Sequence, residues 1–153
     1  MSVPESSRQI LKPSHSYVYR HTVLLNETNA VGGVVYFSNF VKWQGMAREW
    51  ILMENTDYKK IMSQPIEMAT HSCSVLFHKH LYFGARVRIE IQTTKILPTS
   101  FVMQFRYFND QTNDLVATGE QKITFMNTKS GELCRIPEEI MGLAKAVEVQ
   151  TEL

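Results

Sequence analysis

Hydrophobic positions change their spacing twice along the chain, and each change marks a change of element. From Tyr17 to Leu25 they alternate, with Tyr17, Tyr19, His21, Val23 and Leu25 on one side and Val18, Arg20, Thr22 and Leu24 on the other. That is the pattern of a strand covered partly on both faces. A turn-rich stretch, Asn-Glu-Thr-Asn-Ala-Val-Gly-Gly, follows at 26–33. From Phe37 to about Glu54 apolar residues recur at three and four: Phe40, Met46 or Ala47, Trp50, Ile51 and Met53. With no proline and one glycine, Gly45, this spacing predicts the one long helix of the first half. Residues 58–62 add a helical turn before Pro65 breaks the chain.

Alternation then returns in four segments, at about 69–78, 85–95, 100–109 and 115–127. The second of these is the cleanest. Val87, Ile89 and Ile91 oppose Arg86, Arg88 and Glu90, as in a sheet with one dry face. Pro98-Thr99 and the polar run 109–114 read as connections of antiparallel hairpins. Pro137-Glu138-Glu139 opens a short amphipathic C-terminal helix. The expected class is therefore α+β: a five-stranded antiparallel sheet covered on one face by a long helix, with the other face or an edge left for a partner.

At 153 residues the chain is sized for one domain. Residues 1–15, rich in Ser and holding Pro4 and Pro13, read as a flexible arm. The domain is expected over 16–147, with a tail at 148–153. Sixteen Lys and Arg nearly balance fifteen Asp and Glu, so no field for nucleic acid or a membrane surface is implied. The polar N-terminus lacks a signal-peptide core, and no apolar run approaches the 18 or so residues a span needs. A cytoplasmic protein is expected. Cys73 and Cys134 form no CxxC pair and suggest neither a disulfide framework nor a zinc site.

Serine-hydrolase elbow, Walker loop, HExxH and dinucleotide fingerprint are all missing. What carries chemistry is the run from His21 to Glu49: a strand, a loop holding an acid and two amides, the pair Gly32-Gly33, and the start of the long helix. A helix N-terminus offers free N–H groups and a positive dipole end, which suit a developing oxyanion. Gly32 and Gly33 either admit a close backbone approach to substrate or simply make a turn.

The elements Glu27-Thr28-Asn29, Val31-Gly32, Val35-Tyr36-Phe37, Asn39-Phe40 and Trp43-Gln44-Gly45-Met46-Ala47-Arg48-Glu49 resemble the hotdog-fold thioesterases of the 4-hydroxybenzoyl-CoA thioesterase superfamily. Within it they are most similar to those working beside enediyne polyketide synthases. The likeness extends over roughly residues 17–140, through Ser72-Cys73-Ser74 and Ile136-Pro137-Glu138-Glu139. It implies a hotdog fold and hydrolysis of an acyl or polyketide thioester on the phosphopantetheine thiol of an acyl carrier protein. It also implies a homo-oligomer, a dimer or tetramer with the site between subunits, and no metal or organic cofactor. An acyl-CoA thioesterase and a non-catalytic acyl-binding hotdog protein are the alternatives. A hydratase would want a His in the loop, which has none.

By the same resemblance, Asn29 stands where most of the superfamily carries its catalytic Asp. An amide cannot serve as a general base. The likeness implies that Asn29 holds a water or the thioester carbonyl and that Arg48 stabilises negative charge. The amides of Tyr36 and Phe37 would form the oxyanion hole. Glu49 and Glu27 are the candidates for a substitute base, Glu27 being equally well read as a charge partner of Arg20 or Arg48. Gly32, Gly33, Phe40 and Glu27 would contact substrate. The loop is one residue longer than the family's, which bears on which amide donates, and Phe40 replaces a Tyr. Of the rest, His78 and His80 would share a strand face if the strand runs that far, without a third metal ligand. His21 and His71 read as interior or pocket residues, and Cys73 as a small buried side chain rather than a nucleophile. Phe101, Met103, Phe105, Tyr107, Phe125, Met126, Met46 and Met53 read mostly as core, some lining an acyl tunnel. Lys59-Lys60, or Arg86 with Arg88, are the basic clusters a carrier protein would meet.

Overall fold

A computed structural model describes residues 16–29 and 32–149. The expected arm over 1–15 lies outside the described residues, as do 150–153. Five strands form one sheet in the order β1-β3-β4-β5-β2: β1 (Tyr17–Thr22), β2 (Ile66–Phe77), β3 (Arg86–Thr94), β4 (Ser100–Asn109) and β5 (Leu115–Asn127). Every neighbouring pair is antiparallel. The long helix α1 (Ser38–Asn55) lies against one face, α2 (Tyr58–Met62) is a single short turn, and α3 (Glu138–Ala146) closes the end of the core. The expected α+β architecture is the observed one.

Helix α1 forms because its buried residues, Phe40, Trp43, Gln44, Ala47 and Ile51, fall on one stripe. They meet the alternate, inward positions of the sheet. Ile89 stands opposite Tyr107 and Ile91 opposite Phe105, and all four are at most 1% exposed. Each such side chain contributes roughly 1.5–3 kcal/mol of burial. Phe105 in turn faces Gly119. A Cβ on Gly119 would collide with the Gln44 side-chain amide and stand 2.7 Å from the Ser74 carbonyl. Only glycine leaves room there for a buried polar residue of the helix.

The boundaries differ from the alternation in two places that matter. β1 ends at Thr22, and Leu25–Glu27 form a 3-10 turn in which Leu24 and Leu25 are exposed. The turn forms because the Leu24 amide donates to the Glu27 carboxylate at 2.8 Å, closing a local ring that a strand could not make. β2 begins at Ile66, three residues earlier than expected, and ends at Phe77, so His78 and His80 lie beyond the strand and share no strand face. At the C-terminal side, Thr93 N donates to Val147 O at 3.1 Å and Val149 N to Thr93 O at 2.8 Å. Not one residue of β2 is buried, and as an edge strand it pairs only with β5. No helix among the described residues is long and apolar enough to cross a membrane.

Candidate active site

The turn after β1 is organised by one side chain. Glu27 is 4% exposed, and its carboxylate accepts from His21 Nε2 at 2.8 and 3.0 Å, Trp43 Nε1 at 2.7 Å and the Leu24 amide. Burial alone would raise its pKa, but the donors Leu24, His21 and Trp43 outweigh it and hold the carboxyl below its ordinary value. The same negative charge adds to burial in pushing the Tyr19 phenol up to about 12. Glu27's backbone carbonyl then accepts from the Tyr36 amide at 2.9 Å and from Asn39 Nδ2 at 2.8 Å. One residue therefore ties strand, loop and helix start together. As a fully occupied, acidified carboxylate, Glu27 is not a free base, and neither Arg20 nor Arg48 is its partner: Arg20 pairs with Asp110 at 3.0 Å.

Beside this knot lies a cavity of about 490 Å³. One wall is Asn29, residues 34–37 and Phe40; the other is the segment from Phe77 to Leu81. Asn29 is exposed, and its side-chain amide bonds to no other described residue, while its backbone N–H is fixed to Val34 O at 2.8 Å. The Tyr36 amide, expected in an oxyanion hole, is engaged by Glu27. Of the two expected donors, the Phe37 N–H is the one with no acceptor among the described residues. It stands at the first turn of α1, where the dipole favours negative charge. The Tyr36 and Phe37 rings lie 4.7 Å apart, and Phe40 of one wall meets Phe77 of the other edge-on at 5.1 Å.

Gly32 and Gly33 adopt φ of +77° and +66°, which only glycine takes without strain. A Cβ at either would meet no described atom within 4 Å, so the positive φ of the turn is what requires glycine here within one copy. Gly33 O accepts from the Phe83 amide at 3.0 Å and Val35 N donates to Leu81 O at 2.9 Å, locking the two walls of the cavity together.

Arg48 is elsewhere. Its Nη1 donates to Thr70 Oγ1 at 2.9 Å and to Gln121 Oε1 at 3.1 Å, both neutral. Burial lowers its pKa, opposed only in part by Glu49 and Cys73. Among the described residues no carboxylate forms an ion pair with it. It borders a narrow apolar cleft of about 30 Å³ with Ile51, Leu52, Met68, Phe101 and Met103, room for a water or two and not for an acyl chain. Glu49 is exposed on α1 and lines neither space. Between the two regions runs a polar chain that spacing gave no sign of. Gln44, fully buried, donates to Ser74 O at 3.2 Å and accepts from Gln121 Nε2 at 2.9 Å and Cys73 Sγ at 3.3 Å. Cys73, expected buried, is exposed on the edge strand, and burial of its thiol outweighs Arg48 in raising its pKa. No group of three or more potential metal ligands occurs among the described residues.

A model of the thioesterase-like superfamily matches residues 23–143. A 1,4-dihydroxy-2-naphthoyl-CoA hydrolase of Crocosphaera subtropica is 29% identical over 114 residues, 72% of this chain and 82% of that one. Among solved structures, the dynemicin thioesterase, described as showing induced-fit and allosteric effects upon polyene binding, superposes with a TM-score of 0.83. It is 26% identical over 89% of this chain and 99% of its own. A 1,4-dihydroxy-2-naphthoyl-CoA thioesterase from Synechocystis gives 0.77 at 19% identity, over 85% and 96%, a likeness of fold.

Proposed function

The chain belongs to the thioesterase-like superfamily and is a hotdog-fold thioester hydrolase, and from that premise we propose that it releases a polyketide chain, polyene or β-keto, from an acyl carrier protein at a site built from two copies. The observation that carries the reading is the cavity that both the unengaged side-chain amide of Asn29 and the free Phe37 N–H border, on the same wall. A thioester carbonyl placed there receives the Phe37 amide on its oxygen, while Asn29 orients the attacking water. The water oxygen bonds to the acyl carbon, the C–S bond breaks, and the released acid and thiol share the water's two protons. No carboxylate base is needed where the carbonyl is this electrophilic and its oxyanion is stabilised.

Arg48 supplies charge from the other copy. Along β2, Thr70 and Phe77 are seven residues apart, roughly 20 Å, so within one copy the Thr70-bound guanidinium is far from the cavity that Phe77 borders. The exposed, unpaired edge of β2 supports an antiparallel pairing with the same edge of a second copy. Pairing centred between Cys73 and Ser74 would reverse the strand and set the partner's Thr70 region, with its Arg48, beside Phe77. That Arg48 forms no ion pair among the described residues supports an anion arriving from the neighbouring site.

The carrier is tested by comparing kcat/KM on one acyl group carried by a carrier protein and by CoA. Preference for the carrier-bound thioester is expected; equal or better turnover of acyl-CoA overturns it. That outcome is the second reading, favoured by the CoA hydrolase among the relatives.

A further inference from the structure

Two uncharged amides are buried beside the guanidinium of Arg48. Gln44 of α1 is 0% exposed and Gln121 of β5 is 4% exposed. An apolar side chain of the same shape would be buried there at less cost, because an amide taken out of water is compensated only by the bonds it makes. The bonds these two make form one directed chain. Arg48 Nη1 donates to Gln121 Oε1 at 3.1 Å, Gln121 Nε2 to Gln44 Oε1 at 2.9 Å, and Gln44 Nε2 to the Ser74 carbonyl at 3.2 Å. The guanidinium can only donate and the carbonyl can only accept, so both ends force the same orientation on each amide. Gln44 Oε1 also accepts from Cys73 Sγ at 3.3 Å, and the missing Cβ of Gly119 makes the space for the Gln44 amide.

The chain ends at a guanidinium with donors to spare. Nη1 alone serves Gln121 and Thr70, while Nη2 and Nε make no hydrogen bond among the described residues. A carboxylate at position 121 would hold the guanidinium as firmly but would cancel its charge; an amide holds it and leaves the charge available. We infer that Gln121 is a positioning residue for Arg48 and that Gln44 fixes Gln121, so that the free side of the guanidinium is presented, still charged, to the acyl group bound by the neighbouring copy. The inference rests on the reading of Arg48 as the cation of a composite site and adds what aims it. Because the far end of the chain is backbone of β2, the guanidinium is set relative to the edge that a second copy would pair with.

The test is a double-mutant cycle on thiol release from dodecanoyl-CoA and from dodecanoyl carrier protein, with Arg48→Met, the pair Gln44→Met and Gln121→Met, and all three together. Replacing both amides by apolar side chains of similar length keeps the core filled, so Tm is expected within about 4 °C of wild type. In the Gln pair kcat is expected to fall by about tenfold to 10²-fold with KM changed less than about threefold, because a misaimed cation fails the transition state and not binding. In the Arg48→Met background the same pair should cost nothing further, since no guanidinium is left to aim. Losses that multiply across the two backgrounds, or turnover untouched in the Gln pair, overturn the inference. Unchanged turnover in Arg48→Met overturns the composite-site reading instead, and the inference with it. Gln121→Glu covers the case in which the Met pair does not fold, since it fills the same volume and keeps an acceptor for Arg48 while pairing its charge. Its kcat should fall as far as that of Arg48→Met; full activity would show that the free charge is not what the amide preserves, and overturns the inference.

Discussion

Glu27, packed against Trp43 of α1, and Arg48, on α1 itself, are treated in opposite ways. Around Glu27 every donor within reach converges: His21, Trp43 and Leu24 on its carboxylate, Tyr36 and Asn39 on its carbonyl. Around Arg48 there are only a hydroxyl and an amide, and one guanidinium nitrogen makes both bonds. Burial acts against the charge of both, and it is outweighed at the carboxylate but only partly opposed, by Glu49 and Cys73, at the guanidinium. A saturated buried charge holds structure, whereas one left under-satisfied awaits a partner. The acid of the Glu27-Thr28-Asn29 element is therefore a structural keystone, while the cation of the Trp43–Glu49 element is the group proposed to work at a neighbouring site.

The sharpest way to break this division is Glu27→Ala. It strands the buried Trp43 and His21 donors, and a loss of about 3–5 kcal/mol in stability is expected from denaturant melts, with activity falling alongside. Retained stability with lost turnover would make Glu27 a catalytic base after all. Arg48→Met should do the reverse: stability within about 1 kcal/mol of wild type, because a charge held against burial is replaced by apolar volume, and kcat lower by about 10² to 10³. A smaller signature lies in pH. A carboxylate with a depressed folded pKa contributes stability above its unfolded value and loses it as pH falls through the folded one. Below about pH 4.5, the ordinary Glu value, wild-type stability should therefore fall more steeply with acid than that of Glu27→Gln.

The sheet and α1 were legible from spacing because burial is periodic: Val87, Ile89 and Ile91 are all fully buried as their alternation requires. Strand β2 was legible in type but not in exposure. Its Cys73 would be buried in an ordinary sheet, yet here the strand is an open edge, a fact of topology that no local pattern records. The role of Glu27 was hidden for a related reason. Its partners lie six residues before and sixteen after it, a spacing that is set by how β1 and α1 pack and not by either element's period. Asn29 and the helix start border one cavity because they are near neighbours in sequence. Arg48 was expected with them through resemblance alone, and one copy of the chain keeps it apart.

That separation can be tested directly by complementation. Asn29→Ala and Arg48→Met are co-expressed with different affinity tags, and the doubly tagged mixed dimer is assayed for thiol release against each parent. If Asn29 of one copy works with Arg48 of the other, the mixed dimer holds one doubly damaged site and one intact site, and recovers about half the wild-type activity per dimer. If both residues act from the same chain, each site keeps one lesion and the mixed dimer is as inactive as its parents, which would contradict the composite site.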